Sequence, residues 1–420
     1  MSEGQLAPPG EVPVRHGFMH SEDATLRREG YEAWDRLRDE TPTFESDYRS
    51  RDTSNRLWYL LGYDDVYSVL RDTGLFSSKG FTHPDFESEY LMIPSEMDPP
   101  EHTKYRTLLN PILSPARISM MEPIIRRRCR ELVDGLAGRG HCDVLDDFAL
   151  KFPTTIFMEM LGVPTDDLET FVTWVHHSQH TSHAEDPDGR IRDNADRAIH
   201  EFMWAIADER RRQPSDDIVS RLVECRVEGR PLDKKELGGI LYLLFLAGLD
   251  TVASMLSWSL MHLAQHPEDR RRLCADPSLA PAAVEELLRY YSIVVISRHT
   301  TADAQTHGCP MSKGDRVIVP LATANRDPAA FPDADTFVLD RSPNRHIAFG
   351  VGPHRCVGSH LARLELQVAL EEWHRQIPDY HIPEGSDLGL RVGMFVTSLQ
   401  SVPLEWDAQK HDSPAAAQTQ

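Results

Sequence analysis

One stretch near the C-terminal end, Phe349-Gly350-Val351-Gly352-Pro353-His354-Arg355-Cys356-Val357-Gly358, brings a single cysteine out of a glycine-punctuated turn and delivers it to residues 359–366, which have the apolar face of a helix. A cysteine at a helix N-terminus meets free backbone N–H groups and the positive end of the helix dipole, which favour the thiolate that metal ligation needs. Gly350, Gly352 and Gly358 remove side chains where a flat cofactor would lie against the backbone. Two plainer readings compete. Cys356 could be one more buried cysteine, and Gly350-Val351-Gly352 could open a dinucleotide loop. The second lacks its third glycine, where Arg355 stands, and no strand-helix-strand unit surrounds it.

A second chemical cluster, Ala247-Gly248-Leu249-Asp250-Thr251, lies inside the most apolar segment, residues 237–263. A buried carboxylate requires partners and a mid-helix glycine is costly, so the combination marks a place where a helix is expected to open locally; alone, it also fits a capped acid–alcohol pair. Glu286 and Arg289 form an E-x-x-R on one helix face, which in isolation reads as a surface ion pair. His176, His177, His180 and His183 include an i, i+4, i+7 face, read here as polar surface near a substrate entrance, with metal binding as the alternative. His200-Glu201 begins like H-E-x-x-H but lacks the second histidine, which excludes that zinc hydrolase pattern.

The cysteine stretch resembles, without a mismatch, the F-G-x-G-x-H-x-C-x-G loop of the cytochrome P450 family. Residues 247–251 resemble its [AG]-G-x-[DE]-T motif, and the E-x-x-R falls about 70 residues before Cys356, as it does there. The resemblance spans about residues 20–408 and implies a mainly α fold with small β-sheets, the single triangular helix-rich domain of that family. It implies haem b with Cys356 as the axial iron ligand. Gly248 would make room for dioxygen, Thr251 would hydrogen-bond it, and Asp250 would help relay protons through water. Splitting O–O to give water takes two protons delivered into a site otherwise kept dry. Asp98-Pro99-Pro100-Glu101-His102, with Arg106, resembles the family's D-P-P-E-H-x-x-x-R segment, so His102 and Arg106, together with Arg298 and His354, are expected on the haem propionates. The family's E-x-x-R is buried and braces the cysteine loop with a further cation. Here Thr336 stands where that cation is expected, and Arg341 or Arg345 is the candidate replacement.

Residues 90–100, the long helix and the ending 402–406 resemble the camphor-hydroxylating bacterial branch, in which a tyrosine at the place of Tyr90 donates to the substrate carbonyl. By that likeness Met92, Leu243, Leu246, Ala247, Val294, Val295, Phe395 and Val396 line a small apolar pocket. Met92 replaces an aromatic and Phe395 an aliphatic, which alters the pocket shape. The resemblance therefore implies a monooxygenase placing one oxygen atom of O2 into a C–H bond of a small hydrophobic substrate such as a camphor-like cyclic ketone or ether. Electrons would come from a ferredoxin and its NAD(P)H reductase. Alternatives are oxidation of a steroid or small aromatic, peroxide-driven or rearrangement chemistry, and a non-catalytic haem protein. Asp250 and Thr251 argue against the last two.

Positioning these residues falls to a chain of 420 residues, long enough for one large helical domain. The net charge of −21 disfavours nucleic acid and anionic membranes as main partners. Lys104, Arg106, Arg126, Arg127, Arg128, Arg130 and Arg355 concentrate positive charge near the cysteine side, where an acidic electron donor would dock. The six cysteines, Cys129, Cys142, Cys225, Cys274, Cys309 and Cys356, contain no C-x-x-C pair, which fits a reducing cytoplasm. No apolar leader precedes residue 20, and the reading is a cytoplasmic monomer. Residues 1–20 and 409–420 are expected to be disordered tails around a domain over 21–408. Helices are expected at residues 24–40, 64–71, 101–113, 120–136 and 152–161, on both sides of 182–190, and through 237–263. Strands are expected at 57–61, 316–319 and 403–405.

Overall fold

A computed structural model describes residues 12–48, 56–80, 91–179, 181, 186 and 188–408. Its helices, in chain order, are α1 (Ala24–Glu29), α2 (Tyr31–Glu40), α3 (Tyr63–Arg71), α4 (Glu101–Ile112), α5 (Pro115–Ala137), α6 (Lys151–Leu161) and α7 (Leu168–Gln179). There follow α8 (Arg190–Arg212), α9 (Ile218–Glu224), α10 (Lys234–Gln265), α11 (Pro267–Ala275), α12 (Ala280–Tyr290), α13 (Leu321–Asn325) and α14 (Ser359–Gln376). The expected helix over residues 24–40 is broken in two. Gly30 adopts φ 57°, ψ −124° and serves both as the cap that ends α1 and as the residue that starts α2. A side chain there would also meet Leu390, with its Cβ 2.9 Å from the Cδ2 atom. The helix expected from residue 120 begins earlier, because Ser114-Pro115 supplies an extended N-cap position followed by proline at the first helical position.

The central element is α10, 32 residues long. Asp233 and Glu236 close a capping box at its start, and Glu236 also accepts from Tyr105 and Arg230. The helix is long and apolar enough to cross a membrane, but 72% of its most apolar window is buried inside the protein, where it serves as the core helix. Two apolar cores share it. Leu237 through Leu249 pack with α4, α6, α7, α8 and α9, whereas Val252 through Leu263 pack with α5, α12 and α14. The change falls at Asp250-Thr251, the polar pair that neither core can absorb. The helix runs unbroken through this point; the expected local opening does not occur, and Thr251 Oγ1 instead donates to the Ala247 carbonyl one turn back, at 2.8 Å.

The main sheet has six strands in the spatial order Val14–Arg15, Thr43–Ser46, Leu57–Leu60, Arg316–Pro320, Val295–Thr300 and Phe76–Ser77. Its first strand corrects the expectation of a disordered segment over residues 1–20. Val14 and Arg15 pair in parallel with Glu45 and Ser46, Phe18 packs edge-on against Phe44 and Tyr59, and His20 is fully buried against the Tyr59 hydroxyl. The prolines and mixed charges before residue 12 concealed a segment that tertiary contacts hold. Residues 1–11 and 409–420 lie outside the described residues. Strand Val295–Thr300, not expected from sequence, carries Arg298 opposite Val317 and brings it to the site.

Candidate active site

Cys356 sits in a loop that leaves little freedom. Its N–H donates to the Phe349 carbonyl at 2.9 Å, and Gly350 and Gly352 take φ of 65° and 75°. A Cβ on Gly352 would stand 2.8 Å from the Leu70 carbonyl oxygen, so the close approach to α3 requires glycine there. Beyond the loop, α14 begins at Ser359. Burial pushes the Cys356 thiol up, while the Gly358 N–H and the Arg106, Arg355 and Arg363 guanidinium groups pull it down. Burial outweighs the helix terminus in the free chain, contrary to the expectation from position alone. Coordination by a metal ion would reverse the balance by removing the thiol proton outright.

The loop faces α10 across a cleft of about 160 Å³. Leu243, Leu244, Ala247 and Gly248 line it from α10; His354, Cys356, Val357, Gly358, Leu361 and Glu365 line it from the loop and α14. Pro94, Ser95, His102, Arg106, Leu113, Pro153, Phe157, Met160 and Ile218 complete the wall. A Cβ on Gly248 would meet nothing within 4 Å, so the helix presents open space to the cysteine side.

Two histidines and two arginines collect at the edge of this cleft. The His102 and His354 rings lie 4.1 Å apart, and Ser78 Oγ is 3.1 Å from His354 Nε2. His102 Nδ1 is buried without a hydrogen-bond partner. Burial, then Arg298, His102 and Arg106, lower His354 to about 3; burial and Arg106, against Asp98, lower His102 to about 4. Arg298, 4% exposed, donates to the Ser297 carbonyl, and burial lowers it to about 10 despite Asp98. Asp98 itself accepts from Ser77 Oγ and the Ser78 N–H. Two arginines beside two imidazoles whose protonation is held down by burial and by those arginines suit an anionic ligand, which would offset the positive charge. Haem b fits on each count: its iron would take the Cys356 sulfur, its two propionates the side chains of His102, Arg106, Arg298 and His354, and its flat ring the glycine-faced cleft.

The brace under the loop is complete. Glu286 and Arg289 are fully buried and bonded through both carboxylate oxygens, at 2.7 and 2.8 Å. Arg341 Nε donates to both Glu286 oxygens at 3.0 and 3.1 Å, and Asn344 and the Val338 N–H add further bonds. Arg341 therefore supplies the missing cation. Thr336 contributes its carbonyl, which accepts from Arg289 and Arg341, and Arg345 contributes a carbonyl to Tyr63. Alongside, Glu285 accepts from His346 and Arg363; burial opposes its ionisation, but these two hydrogen bonds hold it at about 2.

Other expected residues are distributed less simply. Asp250 is buried beside Thr251 on α10. Of the pocket candidates, Leu243 and Ala247 line the cleft, whereas Leu246 turns into the core shared with Phe157 and Phe245. Val294 bridges to Val396, and Val295, whose N–H donates to the Phe395 carbonyl, packs among Leu57, Tyr59 and Ile318; none of the four lines this cleft. The Met92 N–H donates to Glu96, and Met92 packs against the core rather than lining the cleft. Tyr90, His180 and His183 lie outside the described residues.

Most of the expected basic patch is already in ion pairs. Lys104 meets Glu101 and Glu228, Arg126 meets Glu122, Glu371 and Glu372, Arg127 and Arg128 meet Glu131 and Glu159, and Arg130 meets Glu372. Arg106 donates to the Arg355 carbonyl and has no acid partner among the described residues, and the Arg355 side chain, next to Cys356 in sequence, is exposed.

Sequence reading missed Ser78, the apolar residues of α6 and, above all, Glu365. Glu365 is 2% exposed, makes no hydrogen bond or ion pair among the described residues, and is raised well above the ordinary carboxyl range by burial. Its signal was present: it lies four residues after Leu361, on the apolar face of α14.

A lone cysteine facing a glycine-opened core helix across a cation-rimmed cleft defines a haem-thiolate protein. A family model described as Cytochrome P450 matches residues 30–373, and the chain belongs to that family; proteins of this family bind haem b and act as monooxygenases. The chain is 36% identical to a probable cytochrome P450 127A1 of Sinorhizobium fredii, over 95% of this chain and 92% of that one. It is 35% identical to a steroid C26-monooxygenase of Mycobacterium tuberculosis, over 81% and 92%. Among solved structures, the polyketide synthase cytochrome P450 PksS of Bacillus subtilis superposes with a TM-score of 0.84 at 28% identity, covering 93% of this chain and 100% of that one.

Proposed function

We propose that the chain hydroxylates a C–H bond of a small, largely apolar cyclic substrate of the terpenoid ketone or ether type, in the bacterial cytoplasm. Electrons come from a ferredoxin-type donor served by an NAD(P)H reductase. The observation that carries this reading is the acid–alcohol pair Asp250-Thr251 on α10, adjoining the bare Gly248 face that meets Cys356. Haem iron supplies oxygen binding and activation when bound, and its thiolate ligand favours O–O cleavage.

The chain's own residues do the rest. Leu243, Leu244 and Ala247 keep water from the cleft and leave apolar surface for substrate. Thr251, whose Oγ1 donates to the Ala247 carbonyl, is the proposed proton donor toward the space beside Gly248, and Asp250, next to it on α10, the proposed source of the replacement proton. Tyr90 is the proposed donor to a substrate carbonyl. Arg355 is the proposed contact for the electron donor, since it is exposed and Lys104, Arg126, Arg127, Arg128 and Arg130 are paired with acids within the chain.

A second reading, oxidation of a steroid, is favoured by the steroid C26-monooxygenase relative. The two readings separate in one titration of the ferric protein with terpenoids, steroids and small aromatics, scored by the low-to-high-spin shift. Shifts confined to cyclic ketones and ethers support the first, shifts confined to steroids the second. Thr251→Ala should lower product formed per NAD(P)H consumed; unchanged coupling would remove the proton-delivery role.

A further inference from the structure

The joint between α10 and α11 carries a second cluster of metal-ligating side chains, used neither by the cysteine site nor by its brace. His266 caps the end of α10 and precedes Pro267, which opens α11 and places Glu268 and Asp269 in its first turn. One ligand atom from each of His266, Glu268 and Asp269 lies within 4.8 Å of the other two. His266 Nδ1 already stands 3.3 Å from Glu268 Oε1. Donors held about 2.0–2.2 Å from a common ion stand about 3–4 Å apart, so side-chain rotation alone closes the set.

Acids in the first turn of a helix are common because the helix dipole favours them, and that accounts for Glu268, whose own backbone N–H lowers its carboxyl. It does not account for His262. This histidine is fully buried one turn back on α10, with Nδ1 2.9 Å from the Tyr291 hydroxyl. Its Nε2 makes no hydrogen bond of good geometry among the described residues and lies 3.5 Å from Asp269 Oδ2. Placing the ring proton on Nε2, on the side of the Asp269 carboxylate, leaves Nδ1 to accept from the Tyr291 hydroxyl. The ring is also held between His266, at 4.3 Å, and Phe337, at 3.9 Å. A locked imidazole aimed at a carboxylate is the arrangement that orients metal ligands from behind. The competing cation, Arg272, is 3.8 Å from Asp269 Oδ1 but closer to Asp340, at 3.1 Å.

We propose that His266, Glu268 and Asp269 bind one divalent ion of the Zn2+, Co2+ or Ni2+ class, with His262 as the positioning residue behind Asp269. One imidazole with two carboxylates suits borderline ions better than Mg2+ or Ca2+, which prefer oxygen alone, and the absence of a thiolate disfavours soft ions. The ion would pin the end of α10 to the start of α11.

The test uses the haem-loaded full chain, stripped with EDTA and desalted, then titrated with ZnCl2 by calorimetry and followed by thermal unfolding. Wild type should bind one Zn2+ at this site and rise in Tm, with no rise in MgCl2. Asp269→Asn and His266→Ala should each weaken this binding at least tenfold and abolish the Tm rise, and His262→Gln should weaken it several-fold. Folding of each variant is checked by its carbon monoxide spectrum and its zinc-free Tm. If one fails to fold, Glu268→Gln, at an exposed position, makes the same comparison. Zinc binding unchanged in these variants, as ions on other histidines such as His176 and His177 would give, overturns the proposal. So does no binding by wild type, or an equal response to Mg2+.

Discussion

At Cys356 two effects pull against each other: burial favours the neutral thiol, and the Gly358 N–H with three arginines favours the thiolate. The sulfur becomes a committed ligand only with iron to hold, so Cys356→Ser should abolish the red-shifted Soret band of the reduced carbon monoxide complex; a variant retaining that band would not have lost its ligand. Glu365 carries the opposite lesson. Its folded pKa is raised, so ionisation is resisted in the folded state and the carboxyl costs stability increasingly as pH rises above about 4.5. Glu365→Gln should therefore unfold at a higher temperature than wild type at pH 8, by at least about 1 kcal/mol in stability, and lose that advantage below pH 4.5. An equal Tm for both proteins at pH 8 would mean that the carboxyl has a partner in the loaded enzyme. Cys356 was legible from its neighbours in sequence. Glu365 was only hinted at, by its place on the apolar face of α14, because packing is what turns an acid on an amphipathic helix into a buried one.

At the scale of elements, the cysteine loop is held by a network rather than by a pair. Glu286 and Arg289 were legible from spacing, but the third brace had to be found in space: Arg341 reaches Glu286 across a loop in which Thr336 gives only its carbonyl. Arg341→Ala removes a guanidinium from a fully buried carboxylate that keeps Arg289, and should cost about 2 kcal/mol, read as a lower Tm and faster haem loss. Arg345→Ala should stay within about 0.5 kcal/mol of wild type. If the two variants behave alike, the brace is not Arg341. The same scale explains the other departures. Gly30 divides an apparently continuous helix because its backbone turns left-handed, and residues 12–20 are ordered because a parallel strand partner and two aromatic rings receive them.

Over the whole molecule, a net charge of −21 coexists with arginines drawn inward to pair with acids. Glu285 is held at about 2 by His346 and Arg363 against burial, and Glu372 at about 2 by Arg130, Arg126 and Arg375 against burial. Both folded values lie below the ordinary carboxyl value, so their contribution is present above about pH 4.5 and is lost as pH falls toward 2. Thermal unfolding should show Tm falling across that window, with a shallower fall in Glu285→Gln. A Tm independent of pH there would show that these pairs contribute nothing. The basic face expected from sequence is thus mainly structural, and the electron-donor contact is proposed at the exposed Arg355.

By itself the sequence marked Cys356 as the candidate ligand, Asp250-Thr251 as the candidate acid–alcohol pair, the E-x-x-R and the long core helix, because each is a matter of residue type at fixed local spacing. Tertiary structure alone decided which residues line the cleft, which cation completes the brace, which arginines are already paired and that Glu365 is buried. Those outcomes depend on segments far apart in the chain meeting in space, where desolvation and the nearest opposite charge, rather than local pattern, set the state of each group.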